Sequence, residues 1–208
     1  IKARWNAIFK KVAYDFILGQ AIARLSKMIV VFSTLETRDA LREWSCAKNK
    51  IVTLSMPIIG GKVENTTFRN TLPARALMAR RRLVNIGFLC RIIPGKNIHK
   101  LISAIKMFSL QAEFGIVAAG PMEDSDYGSY CRKLAADGNI ELQFVGEVDG
   151  ELKEAFIAGV DLMAMVSEYE SFGKSGVEAL VRSVPALISD TCGVTSEIQG
   201  SGVFVTAP

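Results

Sequence analysis

A single histidine, His99, and four widely spaced cysteines are all that the sequence offers as soft metal or redox ligands. Cys46, Cys90, Cys131 and Cys192 form no C-x-x-C pair, which argues against thioredoxin-like redox motifs and the common zinc modules. Long apolar runs are missing too. None approaches the roughly 20 residues that cross a bilayer as a helix, and residues 1–11 are basic and amphipathic, unlike a secretory signal. No G-x-G-x-x-G follows a strand pattern, and Gly115-x4-Gly120 lacks the Lys-Ser/Thr of a phosphate loop. A dinucleotide-dependent dehydrogenase and a P-loop enzyme are therefore not indicated. Charge of one sign is scarce: 25 Lys and Arg against 21 Asp and Glu leave +4, too little to argue for nucleic acid.

What is abundant is apolar side chain, half of the 208 residues, in a regular rhythm. Short continuous runs occupy residues 28–32, 51–54, 83–88, 114–118, 140–145, 160–166, 186–188 and 203–205. Runs of this length, mostly apolar, with charged or amide side chains only at Asn85, Glu141, Gln143 and Asp161, suit strands buried on both faces of a parallel sheet. Between them lie stretches of helical period, clearest in Ile98, Leu101, Ile102, Ile105 and Phe108, and briefly repeated in Leu152, Ala155 and Phe156. Strand and helix in alternation predict βαβ units and an open α/β sheet. The rhythm breaks at 57–82, which holds Gly60-Gly61, Pro73 and the basic Arg80-Arg81-Arg82. That stretch reads as an interdomain linker. Residues 1–56 then read as the remnant of one α/β domain and 83–208 as a second, truncated at its end. The opening at Ile1 and the stop after an apolar run give the expectation of a piece of something longer.

In an open α/β sheet, ligands bind beyond the carboxyl ends of the strands, so the loops there are the candidates. After the 160–166 run comes Ser167-Glu168-Tyr169-Glu170-Ser171-Phe172-Gly173-Lys174-Ser175, a polar turn entering a helix. Free N–H groups at a helix start favour an anion, most often phosphate. Glu170 is expected at the strand end, and Glu178 in or just after the first helical turn, both facing one crevice. After the 83–88 run, Arg91 and Lys96 flank a Pro94-Gly95 turn. Two cations at a strand end can hold a diphosphate and neutralise charge on a leaving group.

At this point a family resemblance becomes specific. Glu170-x7-Glu178, with Phe172-Gly173 inside it, and Arg91-x4-Lys96 in GFLCRIIPGKNIHKLISAI resemble the motifs of glycosyltransferase family 4, a retaining group with the two-domain GT-B fold. The likeness continues through GIVAAGP (115–121), IELQFVGEV (140–148) and SDTCGVTSEI (189–198). It implies a Rossmann-like parallel sheet, the GT-B C-terminal domain, preceded by a linker and part of an acceptor-side domain. It further implies that Glu170 contacts the donor sugar, Glu178 the ribose hydroxyls, and Arg91 and Lys96 the diphosphate. Backbone amides at Ser171, Phe172 and Gly173 would add to the phosphate site, and Gly146, Glu147 and Val148 would lie against the base. The expected partners are a nucleotide-sugar donor, by default a UDP-sugar, and a saccharide or lipid-linked acceptor. Neither a metal nor a separate cofactor is expected. The compartment is expected to be the cytoplasm, with peripheral association at the inner membrane face as the narrower expectation. Arg182-Ser183-Val184-Pro185 departs from the family's Gly-x-Pro turn, and His99, on the polar flank of its helix, reads as a surface residue. A GT-B-type epimerase and a non-catalytic nucleotide-sugar-binding protein stay open as alternatives.

Overall fold

A computed structural model describes residues 18–58, 84–110, 114–198 and 202–207. The chain divides into two units, Ile1–Met56 and Pro57–Pro208. The stretch read as a linker, with its three arginines, lies outside the described residues from position 59 onward.

In the first unit, residues 18–25 are helical and are followed by β1 (Ile29–Val31), α1 (Thr34–Glu43) and β2 (Ile51–Thr53). The two strands pair in parallel, Ile29 opposite Ile51. Helix α1 starts where it does because the Ser33 hydroxyl accepts the Glu36 amide at 3.2 Å, while the Glu36 carboxylate accepts from the Phe32 amide at 2.7 Å. The first bond satisfies an N–H group that the first turn leaves open, and the second ties the residue before the cap back onto that turn.

The second unit contains β3 (Val84–Leu89), α2 (Ile98–Met107), β4 (Phe114–Ala119), α3 (Ser125–Asp137), β5 (Glu141–Gly146), α4 (Gly150–Gly159), β6 (Leu162–Met165), α5 (Lys174–Val181), β7 (Ala186–Ser189) and β8 (Val203–Thr206). The six strands form one parallel sheet in the order β5-β4-β3-β6-β7-β8. Alternate residues of the strands feed two separate cores. Ile86, Phe88, Ile116 and Ala118 pack with Ile98, Ile102 and Ile105 of α2 and with Tyr127, Cys131 and Ala135 of α3. Val117, Ala119 and Met163 pack on the other side with Ala155, Phe156 and Ile157 of α4 and Ala179 of α5. Each fully buried Ile or Phe contributes about 1.5–3 kcal/mol, so the continuous apolar runs are what a sheet covered on both faces requires.

Two details differ from the sequence reading. The helix stripe stops at Ile105, since α2 ends at Met107 and Phe108 turns outward, 66% exposed, just before Ser109 at φ 55°. Strand β6 is shorter than its apolar run, because Val160 caps α4 and the Asp161 carboxylate accepts the Asn85 amide at 2.8 Å.

The chain runs β3, β4, β5 toward one edge, then returns to lay β6 on the other side of β3. Strand order reverses between β3 and β6. Loops leaving adjacent strands diverge at such a switch point and open a crevice at their carboxyl ends.

Candidate functional site

The crevice at this switch point is a cleft of about 370 Å³. Its charged lining comprises Arg91, Lys96, Lys153, Glu170, Lys174 and Glu178, so both loops singled out in the sequence meet there. Arg91 and Lys96 follow β3, Glu170 follows β6, and Glu178 lies inside α5.

The β3 loop is fastened on both flanks. Toward β4, the Cys90 amide donates to Ala119 O at 2.9 Å and the Ile92 amide to Pro121 O at 2.9 Å. Toward β6, the Glu168 amide donates to Gly95 O at 2.9 Å, and Asn97 Nδ2 donates to Val166 O at 2.9 Å. Asn97 is fully buried, with φ 58°, a left-handed conformation that Asn tolerates better than most residues. It lets the chain turn from the Pro94–Lys96 helical turn into α2. The sequence reading gives Asn97 no role.

The β6 loop rests on the strand beside it. Glu170 pairs with Cys192 as a parallel bridge, Gly193 N donates to Glu170 O at 2.8 Å, and Val194 N to Phe172 O at 2.8 Å. The Ser189 and Thr191 hydroxyls both donate to Ser167 O, at 2.7 and 2.8 Å. The 189–198 segment is thus the cradle of the Glu170 loop. Its polar, hydroxyl-rich composition is the available signal, although the sequence does not say which backbone groups it serves.

Lys96 and Glu170 form a close ion pair across the two loops, with side chains 14% and 29% exposed. Arg91 is more open and reaches Glu123 at 3.1 Å, an outward pair that exchanges readily for another anion. Glu178 is buried, and both Lys153 and Lys174 approach its Oε1, at 3.0 and 3.6 Å. Neither lysine stands out in the sequence; Lys153 closes the first turn of α4, where a lone lysine carries no motif. Burial, opposed in part by Lys96 and Arg91, pushes the Cys90 thiol up to about 12. It is therefore protonated at neutral pH and is no nucleophile.

The other selected positions stand around the cleft without lining it. Phe172 is buried and Gly173 adopts φ 95° as the residue before α5, where a Cβ would fall 2.3 Å from Met165 Cε. Ser171 is half-buried beside them. Gly146 accepts from the Gly120 amide at 2.7 Å, Glu147 is exposed, and Val148 packs on the second core. Among the described residues, no group of three His, Cys, Asp or Glu is placed to hold a metal ion. No described helix is long and apolar enough to cross a membrane.

His99 departs from the surface role assigned to it. It is half-buried between α2 and α3, with Nδ1 2.9 Å from the Tyr127 hydroxyl. Burial holds its pKa below the usual 6.5, with Lys100 acting in the same direction and Glu168 against it. A depressed folded value means that the contribution is present above 6.5 and lost as pH falls through the folded pKa. Urea midpoints at pH 7 and pH 5 should therefore drop more for wild type than for His99→Asn; equal drops would remove His99 from the pH response.

A family model described as glycosyl transferases group 1 matches residues 82–208. The chain belongs to this family. The chain is similar to the glycogen synthase of Vibrio parahaemolyticus, 24% identical over 133 residues, covering 64% of this chain and 27% of the relative. An uncharacterized glycosyltransferase of Methanocaldococcus jannaschii is 27% identical over 128 residues, 59% of this chain and 32% of that one. Among solved structures, Anabaena Alr3699/HepE in complex with UDP-glucose superposes with a TM-score of 0.78 at 16% identity, covering 93% of this chain and 54% of that one. Staphylococcus aureus TarM gives 0.67 at 18% identity, covering 95% and 36%. The six-stranded parallel sheet is thus that of the GT-B glycosyltransferases. The chain spans about a quarter to a third of the curated relatives and about half of the Anabaena protein.

Proposed function

We propose that this group 1 protein is a retaining hexosyltransferase of glycosyltransferase family 4, moving a sugar from a nucleotide-diphosphate sugar to an acceptor hydroxyl. The observation that carries the reading is the meeting of Lys96 and Glu170, 74 residues apart in sequence, at the sheet's switch point. Breaking the bond between sugar C1 and the diphosphate oxygen leaves positive charge on the sugar and negative charge on the diphosphate. A carboxylate and a cation at one point match those two ends. Lys96 and Arg91 stabilise the departing diphosphate, Glu170 contacts the sugar, and Glu178 accepts hydrogen bonds from the ribose hydroxyls. Donor entry exchanges the Lys96–Glu170 pair for these two contacts. Residues 171–173 and 146–148 stand beside the cleft, where in this reading the backbone amides of the first meet the donor's phosphates and the second flank its base.

Residues 83–208 are the donor domain in this reading, and 1–56 belong to the acceptor side. Uridine is the favoured base, in keeping with the UDP-glucose held by Alr3699/HepE. The acceptor is a saccharide or a lipid-linked sugar, in cell-surface polysaccharide or glycolipid synthesis at the cytoplasmic face of the membrane. Because lysine and arginine supply the positive charge, transfer should be unchanged by EDTA. A loss reversed by a divalent cation would mean that the leaving group is stabilised in another way.

Incubating the protein with UDP-glucose and a saccharide acceptor tests the reading: UDP is released and proton NMR of the product shows the donor's anomeric configuration. An inverted product removes family 4 chemistry. Arg91→Ala should weaken UDP about tenfold, the scale of one charge-assisted contact, and leave uridine unaffected. Equal losses on both would take Arg91 out of the diphosphate site.

A further inference from the structure

The ribose carboxylate is not left to itself in this cleft. Lys153 lies 3.0 Å from Glu178 Oε1 with hydrogen-bond geometry, and Lys174 lies 3.6 Å from the same oxygen. The side chains differ in environment: Glu178 is 7% exposed, Lys153 27% and Lys174 54%. A carboxylate so far from water is costly unless a cation and a hydrogen bond replace its hydration. Lys153 supplies both. Lys174 is largely solvated, and it stands at the positive end of α5, four residues before Glu178, the weaker order for such a pair. Both ammonium groups sit on Oε1, so Oε2 is the oxygen left for a ligand hydroxyl. The backbone beneath Lys153 is also fixed against α5. Its neighbour Glu154 pairs with Arg182, whose Nη1 donates to the Glu178 carbonyl at 2.7 Å.

We infer that Lys153 is a positioning residue that sets the ribose selectivity of the donor site, an assignment that rests on the reading of Glu178 above. Its ammonium pins Oε1 and turns Oε2 toward the ribose hydroxyls, so a donor lacking one of them loses a bond that the site has already oriented. Without the pin, the carboxylate rotates and ribose and deoxyribose are bound more alike.

The test is calorimetric titration of the protein with UDP, GDP and ADP and with their 2′-deoxy counterparts, in wild type, Lys153→Ala, Lys153→Gln, Lys153→Arg and Lys174→Ala. Wild type should prefer the ribonucleotide by about tenfold, the equivalent of one hydrogen bond to a charged group. Lys153→Ala and Lys153→Gln should reduce that preference to about twofold or less, Lys153→Arg should restore it, and Lys174→Ala should keep it. Lys153→Gln, close to lysine in length, carries the test if the alanine variant folds poorly. A purely structural role would weaken both nucleotides equally and lower the melting temperature with the ratio unchanged. An unchanged ratio in both neutral variants, with the ribonucleotide still bound, overturns the assignment and leaves the donor site standing. If wild type binds none of the three diphosphates, the donor-site reading falls and this assignment with it.

Discussion

Gly120→Ala should destabilise the fold by at least about 3 kcal/mol and abolish nucleotide binding in whatever fraction stays folded. Gly120 ends the β4 run at φ 139°, and a Cβ there would lie 2.0 Å from the Cys90 carbonyl oxygen and 2.7 Å from its carbon. Both obstacles are backbone, so no rotamer change relieves them. The Cys90 carbonyl opens the loop that carries Arg91 and Lys96, and the Gly120 amide donates to Gly146 O at 2.7 Å. Gly120 therefore sits where the exits of β3, β4 and β5 come together, and moving it displaces the cations from the cleft. Gly95→Ala is the matching control, since a Cβ at Gly95 meets nothing within 4 Å. Its stability should stay within about 0.5 kcal/mol of wild type. Urea unfolding of the two variants decides the point. A Gly120→Ala protein as stable as Gly95→Ala would mean that the loops can separate without cost.

Glu178→Ala should weaken UDP by about 1–3 kcal/mol, the cost of losing a charged hydrogen bond to the ribose. Pyrophosphate should respond in the opposite direction or not at all. Removing the carboxylate frees Lys153 and Lys174, leaving the cleft with Arg91, Lys96 and two lysines against Glu170 alone. A cleft of higher positive charge holds a bare diphosphate at least as well. Titration of both ligands into both proteins separates the contributions. Parallel losses on UDP and pyrophosphate would show that Glu178 shapes the phosphate site and does not hold the ribose; no loss on either would remove it from the site.

Much of the sheet is legible in the apolar pattern alone. Each short apolar run contains a strand, and the runs of β3, β4, β6 and β7 are the most apolar because those strands are covered on both faces, whereas the edge strand β5 alternates Glu141 and Gln143 with Leu142 and Phe144. Ile98, Ile102 and Ile105 announce α2 for the corresponding reason, a single buried stripe. Helix α3 is harder to see. Its buried face includes Gly128, Cys131 and Ala135, small residues that raise no hydrophobic signal, while Tyr130 points outward. The two charged loops are legible because strand-end position and charge coincide in them. Contacts between side chains distant in sequence are not. Nothing local to Lys153 says that it meets Glu178, nothing in Arg91 names Glu123 as its partner, and the service of Ser189 and Thr191 to the Ser167 carbonyl depends on the β6–β7 pairing. The surface reading of His99 fails for the same reason. Its neighbours along α2 place it on a polar flank, and only the packing of α3 brings Tyr127 against its ring.

The most direct test of a nucleotide-diphosphate site at the β3–β6 switch point is calorimetric titration of the protein with UDP, GDP, ADP and NAD, repeated on Lys96→Ala. One nucleoside diphosphate should bind, NAD should not, and Lys96→Ala should weaken the bound nucleotide by about tenfold or more. Undiminished binding by Lys96→Ala, or preference for NAD, would contradict the account.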